Sequence, residues 1–333
     1  MELDLHVTNN CNLLCRHCIY ESNEKIMPDI SIHTVKEIIP SIIALGIDEV
    51  HLTGGEPLLH PHIFELIDII NDAGLAVRFQ TNGYAVDEDI AKKLLNHNVK
   101  SVLVSIDGTE FIHNRFRGNP NSYRFAVNAI EIFIKLGIQV RVNSVLHKNN
   151  VSCIKPLLEL SRSLNVEQHS FFYLSPGGRG GNIQNWILSL DEWNAAVKKI
   201  RETSKALEIE NKVKYQHLIA DLQSGYNECR LFERDNCLIM SNGDVYPCVF
   251  FVNSEFSLGN INNENLYEIW SNDEKWESYK TKRVKKCNNP KCKGGCIGLT
   301  YLLNGNISDC DPRCEVKKGL IPGCIRSYSK VVD

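Results

Sequence analysis

The chain has 333 residues, with 37 Lys plus Arg against 40 Asp plus Glu, a formal net charge of -3 and 43% hydrophobic residues. That balance is soluble and globular, long enough for one large domain and a small one, and its near-neutral charge argues against nucleic acid as the main partner. No apolar run approaches the roughly 18 residues of a membrane span, and the opening MELDLHVTNNC has neither a basic nor an apolar signal region, so a cytoplasmic protein with no membrane partner is expected.

Residues 2–225 alternate between strand and helix patterns. DLHVT (4–8) reads as a short strand and SIHTVKEIIPSIIA (31–44) as a helix, in which Pro40 must sit early or cause a kink. DEVHLT (48–53) is a strand leading into GGEP (54–57), and PHIFELIDIIND (61–72) is a helix with Pro61 in its first turn. LAVRFQ (75–80) is a strand, DEDIAKKLLNH (87–97) a helix and SVLVSID (101–107) a strand. The helix at 121–137 ends on Gly137, as a left-handed cap requires. IQVRVNSVL (138–146) is a strand, 151–164 a helical region and VEQHSFFYL (166–174) a strand.

About six strands, each followed by a helix, predict a parallel sheet with helices outside. A closed eight-stranded barrel takes roughly 250 residues. The repeating part here is shorter, so the expected fold class is α/β, a partial (β/α)6 TIM-like barrel. Functional groups belong at the C-terminal ends of such strands, where TGGEP, TNG, SIDG and VNS fall. PGGRGGN (176–182) marks the end of the core, and a helix over 188–204 leads to a second part. From Cys229 onward strand patterns shorten and turns such as SNGD recur.

Cysteine is the outlying number. Thirteen cysteines, an odd count, cannot all pair within one chain, and a reducing compartment favours metal ligation over disulfides. Cys11, Cys15 and Cys18 form C-x3-C-x2-C, Cys153 stands alone, and nine lie between Cys229 and Cys324. Thiolates suit iron–sulfur, zinc or copper(I). Three close thiolates bind three corners of a [4Fe–4S] cube and leave the fourth iron open, as a chemical site needs. A zinc ion would want a fourth ligand, for which His17 or another cysteine is available. Isolated Cys153, in a helical region, reads as a buried small hydrophobe.

CNLLCRHC followed by TGGEP resembles the radical S-adenosylmethionine (SAM) superfamily, whose signature places an aromatic before the last cysteine; His17 holds that place here. The resemblance implies that Cys11, Cys15 and Cys18 hold a [4Fe–4S] cluster whose open iron is chelated by SAM. One electron then cleaves SAM to methionine and a 5′-deoxyadenosyl radical, which abstracts hydrogen from an unactivated C–H bond. It also implies that Gly54, Gly55, Glu56 and Pro57 cradle the methionyl ammonium of SAM. Glycines permit close backbone approach and a carboxylate accepts hydrogen bonds from an ammonium. Asn82, Ser105, Asp107 and Asn143, at the ends of the third to fifth strands, are further candidate SAM contacts; each can instead cap a helix or satisfy a loop. Arg117 is a candidate contact for SAM or substrate carboxylates or a plain ion pair. The glycines around Arg179 are candidates for close passage of adenosine.

The C-terminal zone resembles the SPASM extension of these enzymes, on MSNGDVYPC (240–248), FSLGNINNENLYEIW (256–270) and CKGGC (292–296). That implies two auxiliary [4Fe–4S] clusters. Cys229, Cys237, Cys248 and Cys296 are assigned to the nearer one, and Cys287, Cys292, Cys314 and either Cys310 or Cys324 to the other. The expected organisation is a core at 1–183, a bridging helical region at 184–228 and the SPASM domain at 229–333. Relatives of this type mostly modify ribosomal peptides or protein side chains, forming thioether or carbon–carbon crosslinks or oxidised residues. Others act on tetrapyrroles or other small molecules, make formylglycine in sulfatases, or epimerise peptides. The cluster motif starts at residue 11, so leader recognition is expected from a separate protein or from the core itself. Ferredoxin or flavodoxin is the expected electron donor, and the basic run KTKRVKK (280–286) is a candidate contact for it or a solvated face.

Overall fold

The computed structural model describes residues 1–216, 230–282 and 296–308. Its strands show what the sequence pattern requires. Leu3, Leu5 and Val7 of β1 (Glu2–Thr8) are fully buried, and so are the intervening His6 and Thr8. A strand buried on both faces belongs in a parallel sheet covered by helices.

Chain order then runs α1 (Ile32–Ala44), β2 (Glu49–Gly54), α2 (Ile63–Asp72), β3 (Ala76–Thr81), α3 (Glu88–Asn96) and β4 (Ser101–Ser105). It continues with α4 (Glu110–Arg117), α5 (Ser122–Lys135), β5 (Gln139–Leu146), α6 (Ile154–Ser163), β6 (Gln168–Tyr173) and α7 (Leu190–Ala206). Four short strands follow, β7 (Val213–Tyr215), β8 (Asn236–Ile239), β9 (Asp244–Tyr246) and β10 (Gly259–Asn260), with α8 (Leu266–Ser271), α9 (Asp273–Lys282) and α10 (Ile297–Asn304).

The ten strands of the described residues form one sheet in the order β10-β9-β8-β1-β2-β3-β4-β5-β6-β7. Strands β1 to β7 are parallel neighbours in sequence order, the arrangement of a partial TIM-like barrel. The C-terminal part joins at the other flank. Strand β8 pairs in parallel with β1, Leu3 opposite Cys237 and Leu5 opposite Ile239, and β9 and β10 follow as antiparallel additions. One apolar core runs from Leu3 through Phe79 and Phe133 to Trp270, Trp276 and Leu299.

Several elements differ from the sequence reading. Helix α4 has no strong apolar stripe, since EFIHNRFR is mostly polar; it is placed by His113, Phe116 and Arg117 turning inward and by Gly118 as a left-handed cap at φ 74°. Pro40 lies inside α1 without ending it. It is exposed, so the carbonyl that loses its partner there faces solvent. Asn143 does not end the fifth strand, which continues to Leu146. Four strands of two to four residues carry too little periodicity to be read in advance.

Candidate active site

The segment after β1 is held as a rigid loop by groups far away in sequence. Asn23, itself at φ 70°, accepts from the Cys11 N–H at 2.8 Å and donates to the Cys11 carbonyl. Buried Arg179 donates to the carbonyls of Cys15 and Ser22, both at 2.8 Å, and its backbone N–H reaches the Cys18 carbonyl. The Arg16 N–H bonds the Phe116 carbonyl of α4.

The GGEP turn docks on the same loop through its backbone. Gly55 N–H bonds Thr8 O at 2.7 Å and Glu56 N–H bonds Asn10 O at 2.8 Å. A β-carbon on Gly55 would stand 2.2 Å from the Asn10 carbonyl oxygen, and one on Gly54, at φ 147°, 2.5 Å from that of Thr8. A β-carbon on Gly178 would stand 2.4 Å from the Cys18 carbonyl oxygen. In all three places the glycine lets another backbone lie against the cysteine loop. For Gly178, beside Arg179, this is a task the sequence reading did not assign.

A cavity of about 280 Å³ opens over the C-terminal ends of the strands. Cys11, Cys15 and Cys18 line it together with Gly54, Gly55, Pro57, Asn82, Ser105 and Asn143, so the structure brings most of the sequence-predicted residues into one place. Glu56 and Asp107 sit behind the wall. Glu56 is 1% exposed and accepts from Thr81 Oγ1 at 2.9 Å and from the N–H groups of Asn82 and Leu58. Asp107 accepts from Arg117 Nε at 2.6 Å and the Val145 N–H at 2.8 Å. Sequence reasoning gave no role to Tyr20, Phe172, Tyr173 and Gln216, or to Val249 and Phe250 from the opposite flank, all of which line the cavity. Tyr20 was signalled by its place two residues past Cys18, and the others by lying at or just past strand ends.

Burial dominates the electrostatics. It pushes the Cys11 thiol up to about 12 and also raises Cys15, where the Arg117 cation opposes it. Glu56 rises to about 7 through burial, against its three hydrogen bonds. Burial alone would raise Asp107 too, but Arg117, helped by His17 and His113, holds it well below the usual carboxylate range. His17 falls to about 3 by burial and lies stacked on Phe116, with ring centroids 4.2 Å apart.

The donor set fits a multinuclear cluster. Among the described residues no three His, Cys, Asp or Glu side chains converge as a single ion requires. Yet three thiols face one cavity, as when each takes a different iron. Buried thiols with raised pKa values are poor thiolates until a metal displaces their protons.

Of the C-terminal cysteines, Cys237 is fully buried on β8, Cys248 follows β9, and the Cys296 sulfur caps α10 by accepting from the Leu299 N–H at 3.4 Å. Helix α10 packs on the turn at Val249–Phe251, which brings the Cys248 and Cys296 segments together. Cys229, Cys287, Cys292, Cys310, Cys314 and Cys324, and most of the basic run 280–286, lie outside the described residues. Cys153 is 3% exposed within the apolar core, as expected for a small hydrophobe.

A partial barrel with three thiols at the mouth of its strands is the architecture of a SAM-cleaving iron–sulfur enzyme. Residues 5–160 match the Radical SAM superfamily and residues 229–297 match SPASM, an iron–sulfur cluster-binding domain; the chain is a radical SAM superfamily enzyme with a C-terminal SPASM domain. It is 27% identical to an AdoMet-dependent heme synthase of Methanosarcina barkeri, over 94% of this chain and 95% of that one. It is also 27% identical to the mycofactocin maturase MftC of Mycobacterium tuberculosis, over 94% and 82%. Among solved structures, SuiB of Streptococcus suis bound to S-adenosylmethionine superposes with a TM-score of 0.77 at 18% identity, covering 94% of this chain and 77% of that one. Such a core binds a [4Fe–4S] cluster and SAM, and SPASM domains carry auxiliary clusters. Among the described residues no helix is long and apolar enough to cross a membrane.

Proposed function

We propose that the chain abstracts a hydrogen atom from a ribosomal peptide or protein side chain, forming a thioether or carbon–carbon crosslink or an oxidised residue. The observation that carries this reading is one wall of the cavity. Phe172, Tyr173, Leu174, Gln216, Val249 and Phe250 make a neutral, largely apolar and aromatic surface. Among the described residues, the two arginines of the cavity, Arg117 and Arg179, are engaged by Asp107 and by the Cys15 and Ser22 carbonyls. Such a wall suits an uncharged side chain better than a ring carrying several carboxylates. Cys11, Cys15 and Cys18 hold the SAM-binding cluster. Gly54, Gly55, Pro57, Asn82, Ser105 and Asn143 position SAM, and Glu56 and Asp107 brace that side of the cavity from behind. The C-terminal cysteines hold auxiliary clusters within a domain at 229–333, joined to the core at 1–183 through 184–228. A leader-recognition protein and a ferredoxin or flavodoxin are the proposed partners, in the cytoplasm.

A second reading, tetrapyrrole decarboxylation or oxidation, is supported by the near end-to-end similarity to the M. barkeri heme synthase. One experiment separates the two. Reconstituted enzyme, dithionite and SAM are incubated anaerobically with the peptide encoded beside its gene, or with iron coproporphyrin III, and analysed by mass spectrometry. A peptide lighter by two hydrogens supports the first reading. An unchanged peptide beside a decarboxylated porphyrin replaces it with the second.

A further inference from the structure

Each sulfur of the cysteine loop has one side-chain partner, and the three partners differ in chemistry. Asn82 Nδ2 lies 3.9 Å from Cys11 Sγ, Arg117 Nη1 3.8 Å from Cys15 Sγ and Ser22 Oγ 3.5 Å from Cys18 Sγ. They come from the end of β3, the last residue of α4 and the cysteine loop itself. The amide and the cation donate to their sulfurs, whereas the Cys18 thiol donates to the Ser22 hydroxyl. Donors to the sulfurs of an iron–sulfur centre stabilise its more negative, reduced form and raise its potential, and a cationic donor does so most.

Arg117 is built to keep that position. It is 9% exposed and ends α4, where Gly118 turns the chain away. Its Nε is held by Asp107 at 2.6 Å. Asp107 is 0% exposed and is fixed in turn by the Val145 N–H, while its own N–H and carbonyl are engaged by His113 Nδ1 and Asn150 Nδ2. The carboxylate therefore orients the guanidinium from the side away from Cys15. The fork presents Nη1 to the sulfur.

We propose that Arg117, oriented by Asp107, is the positioning residue that sets the reduction potential of the cluster held by Cys11, Cys15 and Cys18. Asn82 makes a smaller contribution through Cys11. The proposal rests on the assignment of those three cysteines as ligands and is independent of which substrate is used.

The test is a redox titration of the fully loaded enzyme, followed by electron paramagnetic resonance without SAM. The relevant cluster is identified beforehand as the one whose signal changes when SAM is added. Absence of any SAM-responsive signal in the wild type would refute the ligand assignment. Given that signal, Arg117→Gln is expected to lower the reduced-to-oxidised ratio about tenfold at fixed potential, equivalent to about 59 mV for one electron. Arg117→Lys keeps the charge on a shorter, unforked stem and is expected to shift in the same direction by less. The auxiliary signals should stay where they are. If the Gln variant fails to load, the Lys variant alone decides, because it must still titrate below wild type. Wild-type potential in a fully loaded Gln or Lys variant, with only SAM affinity reduced, would overturn the proposal and make Arg117 a SAM contact.

Discussion

The two cysteine-bearing regions of this molecule are built on opposite principles. In the first, three thiols lie within eight residues, and the loop that carries them is pinned by Asn23, Arg179, α4 and the GGEP backbone. In the second, Cys237 sits in mid-strand, Cys248 follows a strand and Cys296 caps a helix. A short motif keeps its geometry through local restraint, whereas dispersed ligands acquire theirs only once the sheet has formed. Damage in the first region should therefore be specific to SAM chemistry, and damage in the second should spread through packing.

The largest expected contrast is between cysteine variants. Cys15→Ala should abolish 5′-deoxyadenosine formation while the C-terminal clusters survive. Cys248→Ala should retain 5′-deoxyadenosine formation and lose substrate conversion and part of the iron. Chromatography of the nucleoside product and iron analysis of both proteins would read this. Equal losses of nucleoside in both would remove the distinction between the regions.

A second contrast concerns glycines. Gly55→Ala places a methyl against the Asn10 carbonyl, a backbone that cannot turn aside, with an expected loss of roughly 1–3 kcal/mol and poorer iron loading. Gly298→Ala meets the Phe250 side chain, and α10 regains up to about 1 kcal/mol of helix propensity. Thermal denaturation of the two variants should therefore rank Gly55→Ala as the more damaged.

Arg179→Met removes two charge-assisted bonds to the cysteine loop, each worth about 1.5–3 kcal/mol, and replaces a buried cation by an apolar stem. We expect slower cluster reconstitution and a lower melting temperature, with the C-terminal iron largely retained; a melting curve with iron quantification checks this.

The smallest effect lies at the seam between the regions. His6 of β1 is fully buried, and burial lowers it to about 4 from 6.5. A depressed folded pKa means that its contribution to stability is complete above 6.5 and is lost as pH falls towards 4. The slope is at most about 1.4 kcal/mol per pH unit. His6→Leu should flatten the fall in melting temperature between about pH 7 and 5. Parallel curves for variant and wild type would show that His6 does not report on the seam.

Much of the first region could be read from residues alone. CNLLCRHC and GGEP are contiguous motifs, and strand ends placed Asn82 and Ser105 at the cavity that Asn143 also lines. What could not be read depends on long-range packing. Arg179 supports a loop more than 150 residues before it. Gly54, Gly55 and Gly178 also make room for the cysteine-loop backbone, which no local pattern announces. Helix α4 escaped because its inward face is His113, Phe116 and Arg117, side chains that are buried for their hydrogen bonds and ring contacts as much as for apolarity. Phe172 and Val249 approach the cavity from opposite flanks, and no local pattern announces such a meeting.

Strand β1 lies between two neighbours of very different age. Its pairing with β2 is available almost as soon as both have been synthesised, but Leu3 must wait for Cys237, more than 200 residues later. At a translation rate of about 5–20 residues per second, that wait lasts roughly 10 to 50 s. Throughout it, the nascent chain displays an apolar, unpaired strand edge directly before the cysteine loop, a surface prone to wrong pairing between chains. Soluble yield of this enzyme should therefore depend on how that edge is shielded during synthesis, by slow growth or by chaperones, before any iron is supplied.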